Sequence, residues 1–99
     1  MKIRYHDEAA WEIEDAFEWY EAQQKGLGSK LAEETETAIF RIMSFPFLHV
    51  EIHEDIRRAI LPVFPYAIIY SVVNDEIQVH AFSHLHREPL YWKGRIRSK

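Results

Sequence analysis

Cysteine is absent from the 99 residues, so neither a disulfide framework nor a thiolate site can form. Glycine occurs three times and proline four, so breaks in regular structure are few and their positions carry information. No apolar run approaches the roughly 20 residues that a membrane span needs. The basic, apolar and small-residue pattern of a signal peptide is also missing, and the expectation is a cytoplasmic protein that does not engage a membrane. Ninety-nine residues suit one compact domain, 1–99, long enough to bury a single core without staples.

Basic residues are scarce in the first half. Residues 1–55 hold 5 Lys and Arg against 13 Asp and Glu, a balance of −8, whereas residues 56–99 hold 7 against 3, a balance of +4. The net charge of −4 therefore conceals two electrostatically different halves. An acidic stretch such as 7–36 commonly reflects a solvated helix face, so the basic half is the better place to seek an anionic or acidic partner.

Lys2-Ile3-Arg4-Tyr5 alternates like a short strand, and Asp7 is placed to cap a helix whose first turn carries Glu8. Ala9, Ile13, Ala16, Phe17 and Tyr20 then fall on one helical face, with the helix ending near Gln24 and Gly26 suited to a C-terminal cap. A second helix over about 27–44 buries Leu27, Leu31, Ala38, Ile39 and Ile42, and Pro46 stops it. After a loop of about ten residues, 56–61, 66–73 and 77–83 are rich in β-branched and aromatic residues, with Asn74-Asp75-Glu76 as a tight turn. The order is βααβββ. It predicts an α+β fold in which a helical hairpin packs on one face of a small, mainly antiparallel sheet and leaves the other face open for function. Only the tail from Arg95 onward looks loose.

Within the central strand, Tyr66, Ile68, Tyr70 and Val72 share one face and Ala67, Ile69, Ser71 and Val73 the other, so both faces are apolar. The two tyrosines read as core residues with hydroxyls at the rim. In the last strand the alternation sets Ile77, Val79 and Ala81 against Gln78, His80, Phe82 and His84. Imidazoles at 80, 84 and 86 suggest a metal, but no cysteine or matching carboxylate accompanies them, and no metal or cofactor is expected. His49 and His53 fall in the expected loop and read as surface residues.

Arg57 and Arg58 point to opposite faces of their strand, so regular geometry brings at most one to the open face. Arg87, Lys93, Arg95, Arg97 and Lys99 form a basic tail around Tyr91 and Trp92. Such a tail can stack on single-stranded nucleic acid or anchor a protein partner, and simple solvation explains the lysines equally well. Trp11 and Phe40 lie off the main apolar faces of their helices. They offer a second contact surface, for a homodimer or another partner, unless loops cover them. Gly26-Leu27-Gly28 follows a helix and lacks the rest of a phosphate loop.

Three patterns occur in one order: Arg57-Arg58, then Phe64-Pro65-Tyr66-Ala67-Ile68-Ile69-Tyr70, then His84-Leu85-His86-Arg87-Glu88-Pro89-Leu90-Tyr91-Trp92. Together with Ala9, Ala10, Glu14-Asp15-Ala16, Trp19-Tyr20 and Gly26-Leu27-Gly28, they resemble the RelE/ParE superfamily of toxins from bacterial type II toxin–antitoxin systems over nearly the whole chain. The resemblance implies a cognate antitoxin as partner, on a surface to which Trp11, Phe40 and Tyr70 are assigned.

RelE-like members are ribosome-dependent endoribonucleases that cut mRNA, and ParE-like members act on DNA gyrase. Metal-free phosphodiester cleavage needs a base, an acid and cations for the developing charge. Where RelE-like enzymes carry an arginine after the strand-opening tyrosine, this chain has Ala67, and a second basic position is Ile60. Arg58, Arg87 and Tyr91 match, the tyrosine with a shifted spacing. Phe64-Pro65-Tyr66 and the His-x-Arg-x-Pro-x-Tyr-Trp tail are similar to ParE-like sequences, although Pro62-Val63 replaces residues that are often basic there. The acidic balance also fits poorly with docking in ribosomal RNA. The resemblance therefore implies a ParE-like inhibitor of gyrase with Arg58, Arg87, Tyr91 and Trp92 as target contacts. The alternatives are a ribonuclease using Arg58, His84, Arg87 and Tyr91 on the ribosome, and a decayed or solitary relative that is only a binding module.

Overall fold

The computed structural model describes residues 1–96. Elements follow in the order β1 (Lys2–Tyr5), α1 (Asp7–Gln23), α2 (Leu27–Ser44), β2 (Val50–His53), β3 (Ile56–Ile60), β4 (Tyr66–Val73) and β5 (Glu76–His84), with a short 3-10 turn at Lys93–Arg95. The sheet order is β1-β5-β4-β3-β2. β1 lies parallel to β5, and the other pairings are antiparallel. The α+β architecture and the helical hairpin on one sheet face agree with the sequence reading.

One strand went unforeseen. β2 falls inside the expected loop because Val50-Glu51-Ile52-His53 is short, half exposed and interrupted by a register shift, which leaves no clean alternation to recognise. It pairs with β3 across the turn at Glu54-Asp55, where Asp55 adopts a φ of 59°.

The hairpin turn is set by one carboxylate. Glu21, in the last turn of α1, accepts from the Gly26 and Gly28 backbone N–H groups, each at 2.9 Å, and so neutralises the positive end of α2. Gly26 has a φ of 90°, which favours glycine, and a Cβ on Gly28 would sit 2.7 Å from the Phe17 carbonyl oxygen. Gly26 thus starts α2 instead of capping α1. At the other end of α1 the cap is His6, whose Nδ1 accepts from the Glu8 N–H at 3.1 Å, and Asp7 is the first helical residue.

The main core lies between the hairpin and the sheet, where Ala9, Ala16, Leu31 and Ile42 meet Ile68, Tyr70, Ile77, Val79 and Phe82. A bulge in β5 decides which side chains face it. Tyr70 pairs with Val79 but Ile69 pairs with Ala81, so His80 is the extra residue and the alternation reverses there. Phe82 therefore packs in the core under the helices, stacked on Tyr66 at 4.6 Å between ring centroids, and does not share a face with His80 as strict alternation predicts.

Candidate functional site

The opposite sheet face is not bare. Ile56, Ala67, Ile69 and Ala81 form a second cluster that is roofed by Trp92, only 3% exposed, with Tyr91 and Ile96 alongside. The tail from Tyr91 to Ile96 is thus part of the fold, which corrects the expectation of a loose tail at Arg95 and Ile96. Residues 97–99, with the basic positions Arg97 and Lys99, lie outside the described residues.

Glu12 holds this tail in place. Its carboxylate receives the Arg95 guanidinium as a two-pronged fork, with Nη1 and Nη2 each at 2.9 Å. It also accepts from the Tyr91 hydroxyl at 2.8 Å and from the Phe82 N–H at 2.9 Å. Arg95 further donates to the His80 carbonyl oxygen at 3.1 Å and pairs with Glu8 at 3.2 Å. Burial alone would raise the Glu12 carboxyl's pKa, but the Arg95 fork and the two other donors hold it below the usual carboxylate range. No pairwise motif in the sequence announces this network; its one visible trace is a carboxylate on the helix face that turns toward the sheet.

Tyr91 is half-buried, and burial together with the Glu12 hydrogen bond pushes its phenol up to about 12. It is held protonated, as a donor to Glu12. On its ring lies the Arg87 guanidinium, 3.8 Å from the centroid, with Arg95 at 5.0 Å. Arg87 itself is exposed.

Beside this stack is an open cavity of about 350 Å³ whose wall includes Arg58, Ala67, Ile69, His84, Arg87 and Trp92. Of the Arg57-Arg58 pair, Arg58 faces it. Arg57 turns the other way, donating to the Phe47 and His49 carbonyl oxygens and pairing with Glu51. Among the described residues neither Arg58 nor Arg87 forms an ion pair, so both charges are free for a ligand. His84 stands at the end of the sheet, its ring 5.1 Å from Tyr66 and 5.2 Å from His86.

The structure thus gathers Arg58, His84 and Arg87 at one cavity and gives Tyr91 and Trp92 different places from those expected. Trp92 is a buried roof, and as a direct target contact it is corrected: little of its surface can be reached. Tyr70 is corrected as an antitoxin contact, since it is 0% exposed under the helices with its hydroxyl donating to the Pro46 carbonyl oxygen at 2.8 Å. Trp11 and Phe40 stand at 60% and 71% exposure on the outside of the hairpin. His80 is buried against the Ser71 hydroxyl at 2.8 Å, and burial, with a smaller contribution from the nearby His6, lowers its pKa to about 4. Among the described residues no group of three or more His, Asp or Glu is placed to hold a metal ion, and no helix is long and apolar enough to cross a membrane.

No protein-family model matches the chain, and no curated protein matches it in sequence. Solved structures do. A chain of the chromosomal ParDE toxin–antitoxin system of P. aeruginosa superposes with a TM-score of 0.63 at 13% identity, over 85% of this chain and 95% of that one. The isolated E. coli RelE toxin gives 0.64 at 15% identity, over 95% and 94%. The fold is that of the RelE/ParE toxins. Both superpositions span most of each partner. The two structures match the fold of this chain almost equally.

Proposed function

We propose that the chain is the toxin of a toxin–antitoxin pair, of the ParE-like kind, which acts by binding DNA gyrase and is neutralised by a cognate antitoxin. The observation that carries this reading is the state of Tyr91. A phenol donating to Glu12 and pushed up to about 12 is a poor base and a poor proton donor near neutrality. With Ala67 in place of an arginine, the cavity offers two guanidiniums without an ion-pair partner among the described residues, on a wall that mixes apolar side chains with Ser83, His84 and Glu88. Such a surface fits recognition of a partner's carboxylates or phosphates better than cleavage of a phosphodiester. The antitoxin is assigned to the outside of the hairpin, where Trp11 and Phe40 are exposed.

The convergence of His84 with Arg58 and Arg87 on one cavity favours a second reading, a ribosome-dependent endoribonuclease acting on mRNA, in which the imidazole takes the part of the acid or base. Pulse-labelling of DNA and protein synthesis in the first minutes after induction in a bacterial host separates the two. An early stall of DNA synthesis with a DNA-damage response supports the gyrase reading; an early stop in protein synthesis refutes it. Growth unaffected by either route would leave the chain a non-toxic binding module.

A further inference from the structure

We infer that Glu12 is a positioning residue for Arg87. The inference rests on the reading of Arg87 as a target contact and adds how that contact is held. Arg87 is exposed and has no carboxylate partner among the described residues, so by itself its long side chain would sample many rotamers. What restrains it is the Tyr91 ring, 3.8 Å below the guanidinium. The ring is restrained in turn at its far end, because the hydroxyl is bonded to Glu12 at 2.8 Å.

Glu12 is well placed for the task. It lies on α1, a 17-residue helix packed on the sheet, so its backbone is fixed. Both its oxygens are occupied, Oε1 by Phe82 N–H and Arg95, Oε2 by Arg95 and Tyr91, which leaves the carboxylate no alternative orientation. Arg95 also approaches the Tyr91 ring from 5.0 Å, so the ring stands in contact with two guanidiniums, one committed to Glu12 and one free. The carboxylate on the helix side thereby sets where a free positive charge stands on the opposite side of the sheet, beside the cavity that Arg58 shares. Preorganising a flexible cation in this way reduces the ordering cost of engaging an anionic group.

The geometry is tested by the ring-current displacement of the Arg87 Nε–H resonance, measured against Tyr91→Leu, which removes the ring. In Glu12→Gln an amide N–H replaces one acceptor and faces the Arg95 fork, and loss of at least half the displacement is expected. Tyr91→Phe keeps the ring and the Glu12–Arg95 fork, and an intermediate loss is expected. If Glu12→Gln fails to fold, Tyr91→Phe decides. A displacement unchanged in the folded variants overturns the positioning role.

The functional arm is a double-mutant cycle in growth inhibition or target affinity. Glu12→Gln should weaken either by roughly tenfold in the wild-type background and leave an Arg87→Ala background unchanged. Equal losses in both backgrounds mean a merely structural carboxylate and overturn the inference. An Arg87→Ala protein as active as wild type overturns the contact reading itself, an outcome distinct from a surviving ring-current displacement.

Discussion

The Tyr91 hydroxyl donates to the Glu12 carboxylate at 2.8 Å, joining residues 79 positions apart in the chain. This bond and the Arg95 fork turn a basic, aromatic tail into the roof of a sheet face. They also hold the phenol protonated as a donor to Glu12, beside a cavity lined by Arg58, His84 and Arg87.

Removing the roof should unfold the protein before it tests a contact. Trp92→Ala empties a buried indole site over Ile56, Ala67, Ile69 and Ala81 and should cost about 3–5 kcal/mol. Chemical denaturation measures this directly. A loss below about 1 kcal/mol would mean that the tail does not pack on the sheet.

The cavity arginines should behave in the opposite way. Arg58→Ala and Arg87→Ala remove exposed charges that have no ion-pair partner among the described residues and should leave stability within about 0.5 kcal/mol while abolishing growth inhibition. Thermal melts beside plating assays separate the two effects, and a strongly destabilised Arg58→Ala would show that the side chain is structural.

His80 should make stability depend on pH. Its folded pKa of about 4 lies below the ordinary 6.5, so between these values the unfolded chain holds a proton that the folded chain does not. Stability from this group is therefore fully present above about pH 6.5 and is lost as pH falls toward 4, by up to about 3 kcal/mol. Urea midpoints for wild type and His80→Gln across this window should diverge toward neutrality, and parallel curves would mean that His80 titrates normally. Glu12, whose folded pKa is depressed, contributes in a lower window: its stabilisation is present above the ordinary carboxyl value and lost as pH falls through the folded one.

The turn between the helices should tolerate no side chain at Gly28. Gly28→Ala drives a Cβ to within 2.7 Å of the Phe17 carbonyl and should cost about 1–3 kcal/mol, visible as a lower Tm. An unchanged melt would show that the hairpin can spread at no cost.

Much of the fold was legible because its elements obey simple periods. Ala9, Ile13, Ala16 and Tyr20 recur at helical spacing, and the apolar faces of β4 mark a central strand. β2 escaped because four half-exposed residues carry no period. The facing of β5 was misread past His80 because a bulge leaves no trace in composition, and it moved Phe82 into the core. At the site, Arg58 and Arg87 could be picked out as local basic signals. The Glu12 network could not, because it joins α1 to the tail through tertiary contacts that no spacing records. Trp92 looked like a contact for the same reason: an aromatic among basic residues reads as a binding tail until the sheet beneath it is known.

The claim that this surface binds and does not cut is tested most directly by purified components: DNA gyrase supercoiling assayed with wild type and Arg87→Ala, beside mRNA integrity on translating ribosomes. Gyrase inhibited by wild type and spared by Arg87→Ala, with messages intact, is the expected result. Uninhibited gyrase and cleaved messages that disappear in Arg87→Ala would contradict it.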